Sequence, residues 1–139
     1  MTRGRRARTR PASSGAAAAS VVAVAASIVL VVTVAVVRPR RVVVEGRSME
    51  PTLAPGDRLL VRRARHVHAG DVVAVRDPRD SRRVLVKRVG AVLDEGIVLR
   101  GDNPSASTDS RSFGAVPVRT VLGRVVRCYA PSWRAGPVR

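Results

Sequence analysis

A chain of 139 residues and 14.8 kDa holds one modest domain with room for one appended segment. Its net charge is +16, and Lys87 is the sole lysine among 26 basic residues. The single cysteine (Cys128) excludes an internal disulfide, and with only two histidines (His66, His68) it falls short of a Cys/His zinc set. Phe113, Tyr129 and Trp133 are too few to build a stacking platform, and the arginines are scattered, so no nucleic-acid partner is expected.

In chain order, residues 1–15 carry five arginines and no acid. Residues 16–37, AAAASVVAVAASIVLVVTVAVV, carry no charge. As a helix they would reach roughly 33 Å at ~1.5 Å per residue, enough to cross a hydrocarbon core, so a transmembrane helix is predicted. A cleaved leader is the alternative, with Thr33-Val34-Ala35 as a small-residue cleavage site. The length of the apolar run and Arg38, Arg40 and Arg41 directly after it favour a retained anchor. Five arginines before the span and three after it place the N-terminus in the cytoplasm. The expected topology is a single pass of the plasma membrane with the following domain outside.

From Val42 the pattern changes to β. VVVE (42–45), RLLVRR (58–63), DVVAVR (71–76), RVLVKRV (83–89), GIVLR (96–100) and VLGRVVRCY (121–129) are short aliphatic runs. Turn signals such as Pro55-Gly56-Asp57, Ala69-Gly70-Asp71 and Asp94-Glu95-Gly96 separate them. A mainly β domain over residues 42–129, a small antiparallel sheet or barrel, is therefore expected, followed by a loose tail at 130–139. His66 and His68 fall in a polar inter-strand loop, and Cys128 reads as a small core residue.

One residue conflicts with its surroundings. Strand alternation puts Leu85, Lys87 and Val89 on one face of RVLVKRV. An amine there would be desolvated, which disfavours its charged form and lowers its pKa. Arginine could not take that role, because its pKa stays too high for it to lose a proton. A lysine snorkelling from a sheet edge is the plain alternative. Ser48, in GRSMEPTL, sits in a turn after a strand, where its hydroxyl can project. A neutral lysine is the kind of base that makes such a hydroxyl nucleophilic. The stretch GDNPSASTDSRSFG (101–114) adds Asp109 and Arg111, two apart and opposite in charge, which on extended chain share a face.

Taken together, Ser48-Met49-Glu50-Pro51-Thr52-Leu53, Gly56-Asp57, Lys87-Arg88-Val89 and Gly101-Asp102-Asn103 with Ser107, Asp109, Ser110 and Arg111 resemble, in order, the motifs of type I signal peptidases. These are membrane-anchored serine–lysine endopeptidases on an all-β fold. The resemblance implies Ser48 as nucleophile, Lys87 as general base, Ser107 as the hydroxyl that holds the lysine, and Asp109 and Arg111 as a supporting ion pair. It assigns Met49 and Pro51 to substrate binding, with Met49 helping to line shallow apolar pockets for small side chains. It implies a precursor protein or peptide bound in extended form, a lipid bilayer as partner, and no metal or organic cofactor. In many bacterial members a serine two positions before the nucleophile donates to the oxyanion hole; here that position is Gly46. Only Gly90–Arg100 separates the lysine motif from Gly101, leaving a hairpin in place of a large inserted domain. The chain thus resembles a minimal form, similar to the nickel-type superoxide dismutase maturation proteases. General signal-peptide removal, processing of one dedicated precursor, and a non-enzymatic tethered β-domain are the readings left open.

Overall fold

The structure, a computed structural model, describes residues 20–30 and 38–139. The chain divides into two compact units, Met1–Val36 and Val37–Arg139. In the first, residues 20–30 are helical, and Ser27 Oγ donates to the Ala23 carbonyl at 2.9 Å. The basic segment and the rest of the predicted span (16–19 and 31–37) lie outside the described residues. Among the described residues no helix is long and apolar enough to cross a membrane.

The second unit is built on one antiparallel sheet of seven strands: β1 (Arg40–Val43), β2 (Arg58–Arg62), β3 (Val72–Arg76), β4 (Val84–Leu93), β5 (Gly96–Arg100), β6 (Val121–Ala130) and β7 (Gly136–Pro137). The order is β1-β2-β6-β3-β4-β5, with β7 also on β6. Of the two expected forms, a sheet or a barrel, this is a sheet whose outer strands are β1 and β5. The long β6 runs beside β2 at residues 124–130 and beside β3 at 121–124. Every predicted aliphatic run lies in or overlaps a strand. β1 ends earlier than its run of valines, because the Val44 N–H donates to the Asp57 carbonyl and the Val44 carbonyl accepts from Gly56 N–H. That pair closes residues 44–57 into a loop.

Both faces of the sheet are covered. Val72 and Ala74 of β3 pack with Met49, Leu53, Leu59, Val61 and Val125 on one side. Val73 and Val75 pack with Val89, Ile97, Leu99 and Val116 on the other. A strand buried on both faces needs no polar alternation, which is why DVVAVR reads as an unbroken aliphatic run. Cys128 is in the first cluster, while His66 and His68 are exposed, both as expected.

The loose tail is not observed. Ser132–Arg134 forms a turn of 3-10 helix, and β7 pairs Gly136 with Cys128 and Pro137 with Arg127. Arg134 Nε donates to both carboxylate oxygens of Asp57, at 2.9 and 3.0 Å. Asp57 is buried, and a buried carboxylate must be paired or hydrogen-bonded. Its partner is 77 residues away, so nothing local in the sequence announces it.

Candidate active site

Ser48 stands in the turn that opens the 44–57 loop and is fixed from three directions. Met49, the next residue, is 1 % exposed in the core, and so is Leu53, whose N–H donates to the Met49 carbonyl at 2.8 Å. Burying one such side chain is worth about 1.5–3 kcal/mol, so these two act as anchors for the loop. The Ser48 carbonyl accepts from Asn103 N–H at 2.9 Å. Gly101 lies against that carbonyl: a Cβ there would sit 2.6 Å from Ser48 O and would collide with Ser107 Oγ. Only a residue with no side chain lets this segment pass between the two serines.

Lys87 is on β4, paired across to Val73, and is 3 % exposed. Its neighbour Val89 is buried on the same face, while Val84 is exposed, as alternation predicts. The Lys87 amine donates to Ser107 Oγ at 2.9 Å, and Ser107 Oγ donates to Asp109 Oδ2 at 2.9 Å. Asp109 is fully buried. It accepts from Gly101 N–H at 2.9 Å, from Arg111 N–H at 3.1 Å, and from the Arg111 guanidinium at 2.9 and 2.7 Å. As N-cap of the one-turn helix Ser110–Phe113 it also satisfies the free end of that turn. Arg100 stands 3.6 Å away as a second cation.

These contacts fix the charges. The Arg111 hydrogen bonds, aided by those from Gly101 and Ser107, hold the Asp109 carboxyl far below the usual carboxylate range, against the opposing effect of burial. Burial, the largest influence on Lys87, pushes its amine below the ordinary lysine value. The Asp109 charge opposes this, and the charges of Arg79 and Arg111 add to it.

The motif residues without an assigned role form a clamp. Arg88 donates from Nε and Nη2 to the two oxygens of Asp102, at 2.8 and 2.7 Å, and from Nη1 to the Gly70 carbonyl at 2.8 Å. Thr52 Oγ1 donates to the same carboxylate at 2.6 Å. Three segments, the Ser48 loop, the Lys87 strand and the Gly101 stretch, are thereby tied together. Separations of 14 and 50 residues hide this from any reading of spacing.

Ser48 and Lys87 line one cleft of about 520 Å³, with Met49, Val42–Gly46 and Val84–Val86. No hydrogen bond joins the Ser48 hydroxyl to the amine in this structure; Lys87 bonds Ser107 instead. Ser107, Asp109 and Arg111 are brought into one chain behind Lys87. Pro51 is exposed and is not among the residues lining the cleft, although it belongs to the loop that presents Ser48. β1 pairs on one edge only, and β4 pairs with β5 only from Arg88 onward. Each therefore has an edge with no strand beside it among the described residues.

Comparison with known proteins shows the family of the chain. The sequence profile of the signal peptidase family, peptidase S26, matches residues 16–97. The chain is 36% identical over 118 residues to mitochondrial ATP-independent inner membrane protease subunit 1a of Arabidopsis thaliana, covering 65% of this chain and 70% of that one. It is 32% identical over 122 residues to mitochondrial inner membrane protease subunit 1 of Xenopus tropicalis, covering 70% and 73%. It is 31% identical over 120 residues to subunit 2 of Schizosaccharomyces pombe, covering 68% and 67%. With a buried lysine and a turn-borne serine on one cleft, and with a profile match over more than half its length, the chain belongs to the signal peptidase family, peptidase S26, and is a peptidase.

Proposed function

We propose that the protein is a membrane-bound serine endopeptidase in which Ser48 is the nucleophile and Lys87 its general base, removing N-terminal signal or pro-sequences from precursor proteins. The observation that carries this is the single lysine, nearly water-free, on the same cleft as Ser48, with its amine held from behind by Ser107.

The hydrogen-bond directions explain how the base is aimed. Asp109 is ionised and accepts only, so Ser107 spends its one proton on Asp109 and offers Lys87 a lone pair. Lys87 must then donate to Ser107. A neutral amine in that position keeps its own lone pair free for the Ser48 proton. An extended substrate adds to the unpaired edges of β1 and β4 by main-chain hydrogen bonds. Ser48 Oγ attacks the scissile carbonyl carbon while Lys87 takes its proton, then passes it to the departing amine. The Ser48 N–H is one donor to the oxyanion. Lys87 next deprotonates water, which hydrolyses the acyl-enzyme. Met49 and the valines of the cleft wall favour small apolar side chains next to the cut.

The relatives carry a membrane in their names, and here the apolar run 16–37 is the proposed anchor. Its basic flank sets the N-terminus in the cytoplasm and the catalytic unit outside the plasma membrane. Protease accessibility in sealed vesicles checks that topology. Ser48→Ala, Lys87→Ala and Lys87→Arg should each lower kcat/KM by about 10³-fold or more while the chain stays folded. Substantial turnover by Lys87→Arg would remove the proton-accepting role. Depletion of the protein, followed by N-terminal sequencing of accumulated precursors, identifies the substrates; unchanged N-termini would contradict signal or pro-sequence removal.

A further inference from the structure

The cleft has a second chemical character. Arg79, Arg82 and Arg83, from the connection between β3 and β4, also line it. That connection is tightly built. Asp77 N–H donates to the Arg83 carbonyl at 3.0 Å, and Arg83 N–H donates to the Asp80 carbonyl at 2.9 Å. Asp77 is buried and binds the Arg79 guanidinium through both oxygens, at 2.9 and 2.8 Å. Arg79 also lies over the Phe113 ring, 5.5 Å from its centre. Asp80 binds Arg82 at 3.2 Å. Two of the three arginines thus have a carboxylate of their own. Arg83 has none within ion-pair distance among the described residues, and its backbone is pinned at both N–H and carbonyl. The one carboxylate among the cleft-lining residues, Glu45, comes from the stretch after β1.

Register connects this charge to the reacting centre. Arg83 directly precedes β4, two and four residues before Leu85 and Lys87, which share one face of that strand. A substrate strand running along its edge keeps the same period. Resting on the Ser48/Lys87 reading, we propose that Arg83 selects an acidic substrate side chain about four residues, or ~13 Å at ~3.3 Å per residue, from the scissile bond. Arg79 and Arg82, each paired with an aspartate, shape the rim and leave Arg83 as the arginine without an ion pair of its own among the described residues. The partner is therefore a peptide with small apolar residues at the cut and a carboxylate farther along the cleft.

The test separates this selection from catalysis. Binding is measured with full-length Ser48→Ala protein in detergent micelles and fluorescent peptides bearing Asp or Lys at each of the third to fifth positions on either side of the cut. The Asp peptide should bind about two- to five-fold tighter than its Lys counterpart at one of these positions, the range of an exposed ion pair. Arg83→Glu should reverse the order, and 1 M salt should erase it, because the screening length there is only ~3 Å. Equal binding of the two peptides, a preference that survives Arg83→Glu, or no binding at all would overturn the proposal. Cleavage by the unsubstituted protein is scored separately. Binding selectivity without any cleavage would overturn the Ser48/Lys87 reading and leave the Arg83 selection standing.

Discussion

Burial has the largest influence on the Lys87 charge, and a residue the amine does not touch opposes it. Asp109 is two hydrogen bonds away through Ser107, and its negative charge favours the protonated amine. Arg111 neutralises that carboxylate with two guanidinium contacts. Arg111→Met should therefore raise the Lys87 pKa and move the acid limb of the kcat/KM profile to higher pH. A purely structural role would lower the rate at every pH and leave the midpoint in place. Asp109→Asn makes a different prediction. Its amide can donate to Ser107, whose own proton then turns to the Lys87 lone pair and occupies the base. Activity should fall about 10²-fold or more across the pH range, the usual size of a general-base contribution. Near wild-type rates in Asp109→Asn would show that the direction of the Ser107 hydrogen bond is irrelevant.

Among the structural elements, the segment from Gly101 to Arg111 does the most positioning for its length. It supplies Asn103 N–H to Ser48, Ser107 to Lys87 and Asp102 to the Arg88–Thr52 clamp. Gly101→Ala should destabilise the protein by about 1–3 kcal/mol and reduce activity beyond what that loss explains, because relief of the clash must move Ser48 or Ser107. Thermal melts and kinetics on the same sample check both parts; an active, equally stable variant would show the close approach to be incidental. The sequence marked this segment through its glycines and its Asp109–Arg111 spacing, and strand alternation located Lys87 on the buried face. The aliphatic runs likewise marked the strands, since period and turn residues are local properties. What stayed hidden was long-range: Arg88 to Asp102, Thr52 to Asp102 and Arg134 to Asp57 join segments that only the folded sheet brings together. The tail read as loose because Arg134 has no local partner and β7 pairs with β6 over only two residues. Arg134→Ala should cost about 1–2 kcal/mol, less than a fully buried pair, because its side chain is 33% exposed.

For the whole molecule, a buried lysine couples stability to pH. The folded state lowers the Lys87 pKa, so below the ordinary lysine value of 10.5 the unfolded chain binds a proton that the native state refuses. This contribution destabilises as pH falls from that value toward the native pKa, and is fully present below both. Lys87→Met removes it and leaves Ser107 still donating to Asp109. The variant should be inactive yet more stable near neutral pH by about 1 kcal/mol, or about 4–8 °C in Tm, with the gain vanishing above pH ~11. The central claim is that Lys87 is neutral when it works. Because the chain has one lysine, ¹³C-lysine labelling gives one side-chain Cε signal, and its NMR titration reads this amine directly. A midpoint below 10.5 that coincides with the acid limb of kcat/KM is predicted. A midpoint at the ordinary lysine value, or one unrelated to that limb, would contradict the claim.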